Sequence, residues 1–395
     1  MPCHTGCPLG IDITSFIRLL REGDVNSALA VIHQENPFPA LCGRVCTAPC
    51  ESACIFYDEG HPITIRDLER YAADHGVIKN IKRPVVPLGK KIAIIGAGPA
   101  GLMLAYQLAS SGIDVSVFDA SQDQGGLLRY GIPEFMLPQK TVDSVINHVK
   151  AEGVNFVPHM LFGRNITLAE LLMRGFNAVV LAVGSSVPNF DGIDGQSYAG
   201  VYHNVEFLNR AQTITKSSAL EQGQKMLGGT HTVVIAKTID AFDGARLARR
   251  LGQEVTVCWI GEEDKLSKAA QRINHALEEG IVLKEGVKIT RINANENGAV
   301  QSVALQDIVE NTAFELEAQT VILANGLKPN QFIRQHLPQL QFNDDGTLWI
   351  DGNTGMTSVE KVFACGNIVI GPQAMVHAMA HAKKTAGLIK NYLKV

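Results

Sequence analysis

Between residues 90 and 109 a short apolar, β-prone run (92–96) meets a glycine turn and passes straight into an amphipathic stretch, KKIAIIGAGPAGLMLAYQLA. That change of period predicts a strand, a turn and a helix. The same alternation recurs downstream. Residues 114–118 read as a strand, 138–152 as a helix, and NAVVLAVG (177–184) as a buried strand ending in glycine. HTVVIA, starting at His231, reads as a strand, followed by a helix at 240–252 and a strand at 254–259. Residues 293–316 alternate as antiparallel strands do, and strands at 320–324 and 362–365 precede a long helix from about residue 372. Strands alternating with helices predict an α/β fold with parallel sheets, here two nucleotide-type units with the second inserted into the first.

Upstream of residue 90 the pattern is helical. Residues 12–21 form one amphipathic stretch with Asp12 as its cap, 25–35 a second that Asn36-Pro37-Phe38-Pro39 ends, and 66–74 a third. Residues 82–89, with two prolines and a glycine, read as a domain boundary, and 185–230 as a linker carrying one helix.

Composition narrows the class. The 395 residues are 46% hydrophobic and 19% charged, with a formal net charge of −4. That describes a well-buried globular chain without a basic field for nucleic acid or an anionic membrane. No apolar run approaches a membrane span and the start at Met1 opens no secretory signal, so the expected location is the cytoplasm. Six of the eight cysteines fall within the first 54 residues. In a large chain with nucleotide-binding units such crowding points to a metal or cluster site rather than disulfides.

Two constellations carry chemistry. Gly96, Gly98 and Gly101 fit G-x-G-x-x-G: the first makes the tight turn, the second lets a pyrophosphate approach backbone, and the third packs helix on strand. Asp119, at the end of the next strand, stands where an acid accepts from a ribose hydroxyl. The other is thiol-rich. Cys46-x3-Cys50-x3-Cys54 offers three thiols in a proline-containing loop, and Cys3-x3-Cys7-Pro8 two more, the donor type that iron–sulfur clusters take. Cys42, Cys258 and Cys365 read as packing thiols. His377 and His381, one helical turn apart, read as structural because no third ligand accompanies them.

The stretches CHTGCPLGIDITSFI, CGRVCTAPCESAC, PITIRDLER, IGAGPAGL, GGLLRYGIPEFMLP, LAVG, ILANGLKPN and FACGNIVIGP run through nearly the whole chain. With them the sequence resembles the small subunit of glutamate synthase and its relatives, including the flavin half of dihydropyrimidine dehydrogenase. The resemblance implies a helical iron–sulfur domain (1–85) and two Rossmann-like, glutathione reductase-type domains. These are an FAD domain in two parts (86–200 and 319–395) and an NAD(P)H-binding-like domain between them (201–318). In that family NADPH reduces FAD, and clusters carry electrons to a partner protein. By resemblance, one [4Fe–4S] cluster would take Cys7, Cys46, Cys50 and Glu69. Cys3 and Cys54 match ligands of a second cluster whose remaining pair lies upstream in the family. This sequence begins at Met1, so one cluster from this chain alone is expected. FAD would be held by Gly96, Gly98, Pro99, Ala100 and Gly101, by Asp119, by the Gly125, Gly126 and Leu127 loop, and by Val45. Asn367 replaces the family's aspartate, and Met136 a basic residue. Gln373, Ala374 and Met375 open the last helix, whose positive end can stabilise reduced flavin.

The second turn departs from the family, which has G-G-G and then alanine. Here Ala236, Lys237, Thr238 and Ala241 stand, and Thr238 sets a β-branched side chain where pyrophosphate must approach backbone. The paired arginines of NADPH users are replaced by Trp259, Ile260 and Gly261. The expectation is an FAD and iron–sulfur oxidoreductase subunit that exchanges electrons with a partner protein without ordinary NAD(P)H binding. A conventional NAD(P)H-dependent enzyme feeding a catalytic partner, with Lys237 compensating, and a non-catalytic subunit that keeps its cofactors are the alternatives.

Overall fold

A computed structural model describes residues 1–77, 86–189, 192–216, 229–267 and 270–395. The first half of the expected boundary (82–85) falls outside these residues, as does the 217–228 part of the linker.

The chain opens with helices α1 (Pro2–Gly6), α2 (Ile13–Arg21), α3 (Val25–Glu35), α4 (Pro39–Val45), α5 (Pro49–Ser52) and α6 (Ile65–His75). Asp12 and Asp24 cap α2 and α3 by accepting from the amides of Ser15 and Ser27, which fixes where each helix starts. The cysteine-rich segment is not one loop. Its prolines sit at the first positions of α4 and α5, where a missing N–H costs nothing, so the segment folds as two short helices with Cys42 and Cys50 on them.

Next come β1 (Lys91–Ile95), α7 (Pro99–Ala109), β2 (Asp114–Phe118), α8 (Gln139–Ala151), β3 (Asn155–Val157) and β4 (Ala178–Leu181). Then follow β5 (Val201–His203), α9 (Asn204–Lys216), β6 (His231–Ala236), α10 (Ala241–Arg250), β7 (Glu254–Trp259), β8 (Val282–Lys284), β9 (Val287–Ala294), β10 (Val300–Asp307), β11 (Ala313–Glu317) and β12 (Thr320–Ala324). The chain ends with β13 (Val362–Ala364) and α11 (Met375–Leu393), the latter starting three residues later than its apolar pattern suggests.

Two compact units result: Met1–Arg129 with Phe135–Ser186 and Lys328–Val395, and Val187–Leu327 with Tyr130–Glu134. The first holds the helical region and a five-stranded parallel sheet in the order β13-β4-β1-β2-β3. Its strands are buried on both faces: Ile92, Ala93 and Ile94 are fully buried, as are Val179 and Val180 of β4. The second holds a parallel sheet in the order β5-β12-β6-β7-β8 and an antiparallel sheet β9-β10-β11. In each unit the strand that feeds a candidate nucleotide turn, β1 or β6, is the central one.

Within the first unit, α3 and α8 meet through a ring cluster. His33 and His148 face each other with Nε2 atoms 3.3 Å apart, and Tyr106 stacks on His148 with centroids 5.2 Å apart. Lys383 of α11 donates to the Leu9 carbonyl and pairs with Glu35, tying the helical region to the sheet domain.

Candidate functional site

At the first nucleotide turn the chain leaves β1 through Gly96 (φ +108°) and enters α7 at Pro99. At Gly101 a Cβ would stand 2.0 Å from the Gly96 carbonyl oxygen, so only glycine lets the helix start this close to the turn. Over Gly98 the same position meets nothing within 4 Å. Among the described residues the amides of Gly98, Ala100 and Gly101 make no hydrogen bond; the first helical bond runs from Leu102 N to Gly98 O at 2.9 Å. Free N–H groups facing open space at a helix N-terminus form a site for a phosphate group.

Other residues named from the sequence gather around this turn. Asp119 Oδ2 accepts from Ala97 N at 2.6 Å and its Oδ1 from Ser121 N at 2.8 Å, with lone pairs left for a ribose hydroxyl. Gly125 N donates to Ala97 O at 2.9 Å, and Leu127 follows two residues on. At Gly126 a Cβ would lie 3.0 Å from Gly98 Cα, so this loop passes directly over the turn. Gly366, from the far end of the sequence, packs where a Cβ would stand 2.6 Å from that of Ala100. Asn367 Nδ2 donates to Gln373 O at 3.0 Å, while its buried Oδ1 has no partner among the described residues. Ala374 is the N-cap of α11 and Met375 its first residue. The free amides, the open space above Gly98 and the orphaned Asn367 oxygen all fit a dinucleotide such as FAD.

His381 was missed as part of this arrangement. Its Nδ1 accepts from Gly366 N at 3.1 Å, and burial lowers its pKa, which keeps the ring neutral and able to accept. The spacing of His377 and His381 read as structural without saying what they hold, and the ring of His381 orients the Gly366 turn.

The thiols form the second locus. Cys7, Cys46, Cys50 and Glu69 line one cavity with Cys42, walled by apolar side chains including Leu9, Ile13, Phe16 and Val376. Glu69 reaches it because Gly43 lets α4 cross α6 closely: a Cβ there would meet Arg70 Cα at 2.6 Å. Burial pushes the Glu69 carboxyl up to about 8 and the Cys46 thiol up to about 12, and raises the Cys50 and Cys42 thiols as well. Such groups become anions readily only beside a positive centre, so the donor set fits an iron–sulfur cluster. Among the described residues no three His, Cys, Asp or Glu stand close enough to hold one metal ion. A cluster binds each ligand on a different iron and spaces them more widely. Asn36 was also missed: fully buried, it donates from Nδ2 to Glu69 Oε1 at 2.7 Å and accepts from Phe38 N at 3.0 Å. Val45 ends α4, half-buried beside Cys46. Cys3 (half-buried, on α1) and Cys54 (buried) do not line the cavity.

The second nucleotide turn is built differently. Lys237 N donates to Ala324 O at 2.9 Å, and Thr238 Oγ1 donates to the same oxygen at 3.0 Å, so the turn is stitched to the end of β12. Its helix entry winds more tightly: Ala241 N, Phe242 N and Asp243 N donate to the carbonyls three residues back at 3.1, 3.2 and 3.0 Å. Trp259, buried at the end of β7, stacks on Phe242 with centroids 6.5 Å apart.

Comparison with known proteins bears on both loci. Residues 1–81 match the family model described as dihydropyrimidine dehydrogenase domain II, 4Fe-4S cluster, and residues 90–382 that of pyridine nucleotide-disulphide oxidoreductase. The glutamate synthase [NADPH] small chain of Escherichia coli (strain K12) is 31% identical over 421 residues, covering 100% of this chain and 89% of that one. The NADP(+)-dependent formate dehydrogenase subunit beta of Moorella thermoacetica is 31% identical over 100% of this chain and 60% of its own length. Among solved structures, Mycobacterium tuberculosis FprA in complex with NADPH superposes with a TM-score of 0.60 at 20% identity, covering 77% of this chain and 85% of that one. No helix among the described residues is long and apolar enough to cross a membrane.

Proposed function

The chain belongs to the pyridine nucleotide-disulphide oxidoreductase family and carries its iron–sulfur extension, and from this premise we propose that it relays electrons between FAD, one [4Fe–4S] cluster and a partner protein without using free NAD(P)H. It is an FAD-dependent iron–sulfur oxidoreductase. FAD exchanges electrons singly or in pairs, and a [4Fe–4S] cluster passes them one at a time.

Each locus has named residues in this reading. The amides of Gly98, Ala100 and Gly101 would hold the FAD pyrophosphate, and Asp119 the ribose. Gly96 and Pro99 shape that turn; Gly125, Gly126 and Leu127 pass the flavin; Asn367, Gln373, Ala374, Met375 and Val45 complete its surroundings. Cys7, Cys46, Cys50 and Glu69 would hold the cluster, while Cys3 and Cys54 lie outside its cavity. Val376 lines the cluster cavity and follows Met375 directly, which supports a short route along the start of α11. The partner is a larger redox subunit, the kind of assembly that the names of two relatives, a "small chain" and a "subunit beta", describe for those proteins.

The single observation that carries the reading is Thr238, whose hydroxyl is bonded to Ala324 O at 3.0 Å where the first turn has an open glycine. A dinucleotide needs that backbone approach. Stopped-flow mixing of the anaerobically purified protein with NADPH and NADH tests it: dithionite bleaches the flavin and both nucleotides leave it oxidised over the same interval. Rapid bleaching by either nucleotide overturns it in favour of a conventional NAD(P)H-dependent enzyme.

A further inference from the structure

The second nucleotide turn carries its own anion. Both turns leave the central strand of a five-stranded parallel sheet and enter the helix that follows, so Gly96, Gly98, Ala100 and Gly101 correspond to Ala236, Thr238, Asp240 and Ala241. Where the first turn offers the unpaired amide of Ala100, the second sets the carboxylate of Asp240. Its Oδ2 accepts from Asn204 Nδ2 at 2.8 Å, and the same Nδ2 donates to the Asp240 carbonyl at 2.9 Å. Asn204 cannot swing away, being 3% exposed with its Oδ1 only 2.1 Å from where a Cβ on Gly244 would stand. The carboxylate is therefore held at the N-terminus of α10, whose positive end favours it. A second acid, Asp243, lies buried in the same helical turn with Arg272 3.7 Å away. Of the amides that match the free ones of the first turn, that of Ala241 is already used, donating to Thr238 O at 3.1 Å.

Resting on the reading that this chain does not draw on free NAD(P)H, the geometry points to Asp240, locked by Asn204, as a built-in anion that takes the phosphate end of the second nucleotide site and excludes dinucleotides. A pyrophosphate would have to sit beside a fixed, half-buried carboxylate, where like charges repel more strongly than in water. Lys237 and Thr238 close the turn by their bonds to Ala324, and Asp240 closes it by charge. Glycines at 237 and 238 alone therefore do not reopen the site.

The test uses the protein purified anaerobically with its flavin and cluster, titrated with NADH and NADPH by calorimetry. Wild type, Lys237→Gly/Thr238→Gly, and that pair combined with Asp240→Asn are compared. Wild type and the glycine pair bind only weakly. Adding Asp240→Asn tightens binding by about tenfold or more, the scale expected for removing one close like charge. The gain shrinks at high salt, and Asp240→Glu in the glycine background shows none. Should the asparagine variant not fold, Asp240→Thr serves the same comparison. A neutral variant that melts like wild type but binds no better than the glycine pair overturns the role of Asp240 and leaves the functional reading standing. Micromolar NADPH binding by wild type overturns the functional reading itself.

Discussion

Two glycines in one turn separate folding from binding. Gly101 lies inside α7, where alanine ordinarily gains roughly 1 kcal/mol over glycine. Here its Cβ would meet the Gly96 oxygen at 2.0 Å, a contact that backbone cannot yield to without moving helix or turn. Gly101→Ala is expected to lower the melting temperature by several degrees and to lose flavin. Gly98 has an ordinary φ of −76° and open space around it, so Gly98→Ala keeps the melting temperature of the flavin-free protein. The new methyl instead crowds the cofactor and weakens FAD by about 1–3 kcal/mol, the usual cost of overpacking. Flavin retention and the thermal melt of the stripped protein, measured on both variants, distinguish the two; equal behaviour would refute the assignment. The glycine spacing was legible in the sequence because each role is local. Asn36, His381 and Asn204 were not, since their partners Glu69, Gly366 and Asp240 lie up to tens of residues away and no local pattern announces a side-chain hydrogen bond across that distance.

The parallel strands were the easiest elements to read. Residues 114–118, 231–236, 254–259 and 320–324 coincide with their apolar runs because strands covered on both faces are continuously hydrophobic. The short helices α4 and α5 escaped: neither is long enough to show a helical period, and their prolines read as loop signals. The pairing of α3 with α8 was equally hidden, yet it makes a prediction. Burial and the neighbouring His148 push His33 down to about 4 from 6.5, and burial also lowers His148, with Glu152 opposing. A depressed histidine pKa means the unfolded chain binds more protons between about 4 and 6.5 than the folded one. The contribution is therefore fully present above pH 6.5 and lost as pH falls toward 4. His33→Gln keeps a donor and an acceptor but cannot titrate. Its melting temperature should fall less steeply than that of wild type between pH 7 and pH 5, and parallel slopes would dismiss the pair as a pH-sensitive contact.

At the scale of the whole chain, the architecture is one plan used twice, with β1 and β6 central and a turn after each, the second turn bonded to the end of β12. The plan was visible in the alternation of strands and helices. What the local pattern did not give was the strand order, in which residues 362–364 return across nearly half the chain to pair with β4, since sheet order depends on which edge remains free rather than on any local period. That return brings Gly366 and Asn367 to the first turn, so every residue assigned to FAD and to the cluster lies in one compact unit. Linkage then makes the two units respond differently. A ligand stabilises only the part that binds it, by about 4 kcal/mol when present at a thousand times its dissociation constant. Hydrogen exchange read peptide by peptide gives each unit its own opening free energy. Stripping flavin and iron should speed exchange in β1, β4, α7 and α11 while β6, β7 and β12 stay as they were. Adding NADPH to the intact protein should slow neither group. Protection of β6 and β12 by NADPH would show the second turn open after all, and equal loss of protection in both units on stripping would place the cofactors outside the first.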